Sequence, residues 1–261
     1  MTFITPEMWD SYERDGFLRL GKVLSNEDLK ALQDRIDAIM LGEADVDYDR
    51  LLMQLDSKDG AYENAGQQSL GHKGKTLAYR KIQNLEFDNL FMEFMSRPIF
   101  REISAHVYGE DTPVSLFRAM FMNKPANQGT LLPWHQDRWS NLDRDPLITI
   151  WTALDPATIE NGCVEIVAES HTQGLLNSAH SSGFLTKEQA QAASEGPTQF
   201  LELEAGEAVL LHNWLLHRSD KNHSSQSRRA FSVCYMDGRT IDINGNETFT
   251  PVFNTELSAT A

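Results

Sequence analysis

At 261 residues, with 41% hydrophobic and 23% charged residues, the chain has enough apolar material for a continuous core and lies far from a disordered composition. Its formal net charge of −15 would repel phosphate backbones and anionic head groups, which speaks against nucleic-acid and membrane-surface binding. The N-terminal MTFITPEMWD has no basic segment followed by an apolar run, and no stretch approaches the ~18 apolar residues of a spanning helix, so the expectation is one cytoplasmic domain over residues 1–261.

Thr5 followed by Pro6 and Glu7 marks a helix start, and Gly16 its stop. Phe17 to Leu20 reads as a strand. Ser25 with Asp28 resembles a capping box, and Leu29, Leu32, Ile36 and Ile39 follow at helical spacing up to Gly42. Residues 43–76 are polar and partly glycine-bearing. They read as long loops with one helical turn, either a lid or a solvated insertion. Phe91, Phe94, Met95, Ile99 and Ile103 predict a helix from Asn89 to Tyr108, interrupted near Pro98.

Beyond Pro113 the chain turns to short β-rich runs: 115–122, 147–154, 163–168, 200–203, 208–212 and 229–235. One helix interrupts them, starting at Thr186 with Gln189 completing a capping box. Helices and loops over 1–112 followed by strands over 113–261 predict a mainly β protein with flanking helices, its double-layered β core buttressed by the N-terminal helices. Cys163 and Cys234 each sit in an apolar stretch and are expected to be reduced, buried thiols.

The chemistry concentrates in Leu132-Pro133-Trp134-His135-Gln136-Asp137. On an extended chain, residues two apart share a face, so His135 and Asp137 can present an imidazole and a carboxylate side by side. A third ligand must come from another strand. His212 and His217 both stand at the end of an apolar run, and the following Arg218-Ser219 and the distance to Arg228 favour His217. Two histidines and one carboxylate leave part of an octahedral metal's coordination open, as in non-haem Fe(II) oxygenases. Eleven residues past His217, after a polar turn, Arg228 opens another β run. A hairpin would return its guanidinium to the metal strand, where it can grip a carboxylate through two parallel hydrogen bonds. Its plainer alternative is a surface ion pair. Trp134, Trp139 and Trp151 are candidates for an aromatic wall or for core packing, and Arg118 and Arg138 for contacts to a substrate anion. His72, His106, His180 and His223 lie in polar or loop contexts and read as solvated or locally bonded, and His171 as structural.

Over nearly its whole length the sequence resembles the phytanoyl-CoA dioxygenase family. The matching segments are YERDGFLRLGKVLS and LKALQDRID, RKIQNLE, FMNKPANQG, WHQD, IWTALDPATIENGCVEIVAESHTQGLL and LLHNWLLHRSDKNHSSQSRRAFSVCY, in that order. The resemblance implies a double-stranded β-helix (jelly-roll) core with N-terminal helices. It also implies dioxygenase chemistry on a small-molecule substrate with Fe(II), 2-oxoglutarate as co-substrate and O2. It assigns His135, Asp137 and His217 to iron and Arg228 to the outer carboxylate of 2-oxoglutarate, and puts Lys81, Trp151 and Ser219 around the co-substrate. Related halogenases carry a small residue where Asp137 stands, which points to hydroxylation or desaturation rather than chlorination. One departure is Ala168-Glu169-Ser170-His171, where the family usually has Pro-Gly-Ser-His. Nothing marks a CoA-binding surface. A Zn(II) hydrolase would use the same triad but leaves Arg228 without a role, and a non-catalytic small-molecule-binding jelly roll is the third reading.

Overall fold

The computed structural model describes residues 2–254. The first helix, α1 (Pro6–Asp15), is capped by Thr5, whose hydroxyl accepts from the Met8 amide, and it ends at Gly16 with φ +79°. A Cβ at Gly16 would lie 2.4 Å from His171 Nδ1, so close packing and left-handed backbone both demand glycine there. After β1 (Phe17–Lys22), α2 (Asn26–Leu41) starts from the Ser25 hydroxyl, which accepts from the Asp28 amide at 3.0 Å, and closes at Gly42. The Asp28 carboxylate binds Arg97 at 2.6 Å, tying α2 to the start of a later helix.

Residues 43–76 are not only loops. They contain β2 (Leu52–Leu55), β3 (Ser69–Leu70) and two single helical turns, and β2 pairs with β4 (Tyr79–Gln83). Helices α3 (Asn89–Met95) and α4 (Pro98–Tyr108) are separated at the expected proline. The strands that follow are β5 (Val114–Lys124), β6 (Leu132–His135), β7 (Ile148–Ala153) and β8 (Val164–Ile166). Helix α5 (Lys187–Glu195), with both halves of the Thr186–Gln189 capping box formed, precedes β9 (Gln199–Leu201), β10 (Glu207–His212), β11 (His217–Ser219), β12 (Arg228–Asp237) and β13 (Thr250–Phe253).

These strands form two antiparallel sheets. The larger runs β1-β10-β7-β12-β5-β4-β2-β3, with β13 also paired to β5; the smaller runs β6-β11-β8-β9. The period of two in the central strands sends alternate side chains to different cores. Ile148, Ile150, Leu210, Phe231 and Val233 join Leu32, Ile36, Phe91 and Phe100 of the helices in the main core. Trp151, Val209, Leu211 and Ala230 pack instead with Val164, Ile166, Leu201 and Leu215 on the smaller sheet's side. One face of the large sheet is thus covered by helices while the other meets the small sheet, the arrangement of a double-stranded β-helix. Cys163 and Cys234 are buried and free. Among the described residues no helix is long and apolar enough to cross a membrane.

The expected hairpin between the strands of His217 and Arg228 is not formed. β11 lies in the small sheet and β12 in the large one, where Arg228 pairs in register with Lys124. The polar turn between them is a crossover from one sheet to the other. It still serves the site, because it places Arg228 on the facing wall of the space between the sheets.

Candidate metal centre

The centre is built on one cross-strand pair. β6 and β11 are antiparallel neighbours in which His135 stands directly opposite His217, and such partners have Cβ atoms ~4.5–5.5 Å apart. The imidazole centroids accordingly lie 4.1 Å apart. Asp137, two residues past His135, brings Oδ1 to 3.7 Å from His135 Nε2 and Oδ2 to 3.9 Å from His217 Nε2. These separations are too long for hydrogen bonds. The three ligand atoms lie within 4.8 Å of one another, spaced to share one cation.

Each ring is oriented by the same backbone device. His135 Nδ1 is 2.9 Å from the Pro133 carbonyl and His217 Nδ1 2.8 Å from the Leu215 carbonyl. A carbonyl has no proton to give, so Nδ1 carries it in both rings and Nε2 keeps its lone pair for the centre. Burial, then the neighbouring His217, hold the His135 pKa well below the usual histidine range, which keeps it a neutral ligand. Burial raises the Asp137 pKa, against the pull of His217 and Lys81. A divalent cation between them would supply the charge that stabilises the carboxylate.

Four residues not singled out from the sequence hold this geometry. The buried Gln136 side chain donates to the Gly174 and Trp214 carbonyls at 2.8 and 2.7 Å and accepts from the Leu176 amide at 2.7 Å. The Asp137 amide donates to the Asn213 carbonyl at 2.7 Å, and the buried Asn213 side chain is itself fixed by Thr149 and the Pro146 carbonyl. Ser170 Oγ accepts from the Leu216 amide at 2.8 Å, bracing the residue before His217. Phe184 stacks on the His135 ring at 5.0 Å. Only the polar residue inside H-x-D and the Asn after His212 were signals for any of them.

The triad opens into a cavity also lined by Lys81, Trp151, Ser219 and Arg228. Arg228 is buried, and its Nε and Nη1 have no hydrogen-bond partner among the described residues. Its Cζ lies 5.3 Å over the Trp151 ring. Burial lowers its pKa only to about 10, so the guanidinium stays charged inside the cavity. Burial, then Arg80 and Arg118, push the Lys81 pKa down to about 8. Arg118, Arg138 and Trp139 line the same cavity.

Other candidates lie elsewhere. His212 Nδ1 accepts from the Trp214 amide at 3.0 Å and its ring sits 5.0 Å from His171, away from the triad. His171 Nε2 bonds the Glu13 carbonyl and His72 Nε2 the Met40 carbonyl, while His106 stacks on Trp9. Trp134 turns from the cavity and donates Nε1 to Ser194 Oγ at 2.8 Å.

The phytanoyl-CoA dioxygenase (PhyH) family model matches residues 12–230. A phytanoyl-CoA dioxygenase of Arabidopsis thaliana is 23% identical over 250 residues, covering 88% of this chain and 88% of that protein. EctD of S. alaskensis, solved with 2-oxoglutarate and 5-hydroxyectoine, matches with a TM-score of 0.70 at 16% identity over 91% of this chain and 77% of that one. The epimerase SnoN, solved with Fe3+, alpha ketoglutarate and nogalamycin RO, matches with a TM-score of 0.70 at 15% identity over 92% and 86%. At such identities the two structures speak for the jelly-roll fold. The family model spans most of the sequence and takes in both strands of the triad, and the chain belongs to the phytanoyl-CoA dioxygenase family.

Proposed function

We propose that this chain is an Fe(II)- and 2-oxoglutarate-dependent dioxygenase that hydroxylates a small-molecule substrate, with iron held by His135, Asp137 and His217. The observation that carries the reading is the joint presence, in one cavity, of the converging triad and the buried, unpartnered Arg228 guanidinium. A metal hydrolase would need the triad but has no use for the arginine, whose burial without a carboxylate is costly unless a ligand supplies one. The iron and 2-oxoglutarate found in structures of EctD and SnoN fit the same donor set.

When bound, iron with 2-oxoglutarate supplies the oxygen chemistry: decarboxylation to succinate and CO2, coupled to insertion of one atom of O2 into a substrate C–H bond. The chain supplies position and charge. Arg228 grips the outer carboxylate, the Trp151 ring beneath it and the Ser219 hydroxyl bound that end of the site, and Lys81 adds a second positive charge. The Nδ1–H bonds of His135 and His217 to backbone carbonyls fix both rings with Nε2 aimed inward. Phe184 packs against one face of the His135 ring and holds its plane.

Anaerobic addition of Fe(II) and 2-oxoglutarate is expected to produce a visible charge-transfer band. Asp137→Ala should abolish it. Arg228→Gln should weaken the half-saturation for 2-oxoglutarate by about tenfold or more, the value of a lost charge-assisted pair. Strict dependence of succinate release on O2 separates this reading from hydrolysis. Absence of the band in correctly folded protein would overturn it.

A further inference from the structure

The cavity carries more positive charge than iron and 2-oxoglutarate balance, an observation that bears on the substrate and rests on the reading above. Arg118 and Arg218 have their own carboxylates, Glu247 at 3.1 Å and Glu165 at 2.6 Å. Arg80, Lys81, Arg138 and Arg228 line the same cavity with no ion pair among the described residues. Iron(II), the Asp137 carboxylate and the 2-oxoglutarate dianion together carry a single negative charge. Set against four cations, that leaves a local excess of positive charge with the co-substrate in place. The distribution is local, since the chain as a whole has a formal charge of −15.

Two of the four lie beyond the proposed co-substrate contacts. Arg138 spends Nη1 on the neutral carbonyls of Ser178 and His180, and its buried Nε has no partner. Arg80 is buried, donates Nη1 to the neutral Gln54 side chain at 2.9 Å, and stands 5.0 Å over the Tyr62 ring. Asp56 is the carboxylate nearest in influence to Arg80, and it also acts on the buried Lys124. An aromatic bridge connects the two arginines. Tyr62 lies 5.3 Å from Phe184, and Phe184 lies 5.5 Å from the ring of His180, whose carbonyl Arg138 holds. The cavity is about 230 Å³, below the ~300–1,000 Å³ of ordinary ligand sites. With 2-oxoglutarate inside, a substrate must meet this rim.

We propose that the substrate is a small organic acid whose anionic group is bound by Arg138 at one end of the Tyr62–Phe184 pair, its apolar body lying on that pair beside His135, with Arg80 adding positive charge at the far end. The buried Arg80 and the buried, unpartnered Nε of Arg138 both favour an anion within reach, and an aromatic floor between two guanidinium groups selects a flat or apolar skeleton bearing that charge.

The test uses protein loaded anaerobically with Fe(II) and 2-oxoglutarate, with the charge-transfer band titrated by benzoate, phenyl phosphate and neutral benzamide. Saturable perturbation of the band by the anions and not by benzamide is expected, the stronger anion showing whether a carboxylate or a phosphate is preferred. Arg138→Gln should weaken that response about tenfold or more, with Arg138→Lys restoring part of it and half-saturation by 2-oxoglutarate unaltered. Arg80→Gln, on β4, should act in the same direction. Equal response to benzamide, no response to either anion, or an unchanged response in both Gln variants would overturn the proposal. Loss of the band through displacement of 2-oxoglutarate would also count against it. A wild-type protein that never forms the band would remove the parent reading and this one with it.

Discussion

Glu169 occupies φ 64°, ψ −4°, a left-handed conformation that costs a residue with a Cβ about 1 kcal/mol or more. The resemblance drawn from the sequence puts glycine at this place, and the backbone gives a reason for it. The Glu169 amide donates to the Asp15 carbonyl at 3.0 Å and its carbonyl accepts from Thr172, so the turn that delivers Ser170 to the metal strand is fixed by main-chain bonds that any residue could make. Glu169→Gly is therefore expected to stabilise the fold by roughly 0.5–1 kcal/mol, the relief of strain being partly offset by the greater freedom of the unfolded chain. Urea unfolding should show a higher midpoint with an unchanged slope. Glu169→Ala keeps the Cβ and should gain almost nothing; an equal gain from Ala would mean that charge, not backbone, was the cause.

At the scale of elements, the end of β6 is held by contact with one glycine. A Cβ on Gly183, itself at φ +67°, would sit 1.9 Å from the Gln136 carbonyl oxygen, while the Gln136 amide donates to the Gly183 carbonyl at 3.1 Å. Gly183→Ala must push the segment between His135 and Asp137 away from its support, and displacing ligands in this way typically costs ~10–100-fold in metal affinity. Titration with Co(II), read by its visible absorption, measures that loss, and an unchanged affinity would show that the centre does not depend on this packing. The same strand shows what the sequence could and could not reveal. Caps and apolar periodicity marked α1, α2, α5 and the breaks around Pro98, and β7, β10 and β12 stood out because they are buried on both faces. β4 and β11 did not, since Arg80, Lys81, Gln83, His217 and Ser219 line the cavity and break the hydrophobic pattern. β6 carries Pro133, tolerated because the strand is the edge of its sheet. The strands that bear the chemistry are the least strand-like in composition, so H-x-D and the later histidine were legible as motifs, whereas the supports from Gln136, Asn213 and Ser170 required the fold.

For the molecule as a whole, burial of histidines sets the response to acid. His212 is pushed down to about 4 by burial, with His171 adding to the effect, and its Nδ1 accepts the Trp214 amide only while unprotonated. A histidine whose folded pKa lies below its unfolded value binds fewer protons folded than unfolded. Its contribution is present in full above the unfolded value of about 6.5 and is lost as pH falls toward about 4. His135, also lowered, adds to the loss as pH falls below the same unfolded value in metal-free protein. His212→Asn offers an oxygen to the Trp214 amide and no titrating group. It should flatten the dependence of unfolding free energy on pH between roughly 6 and 4.5 by close to one proton, about 1.4 kcal/mol per pH unit. Denaturant midpoints of the metal-free wild type and variant across that interval decide the matter, and parallel curves would mean that His212 is already protonated in the folded state. Saturating metal should shift the wild-type curve further, because binding to the folded form alone adds about 2.7 kcal/mol at a hundredfold excess over Kd. That increment should shrink in acid as His135 and Asp137 take up protons in competition with the ion.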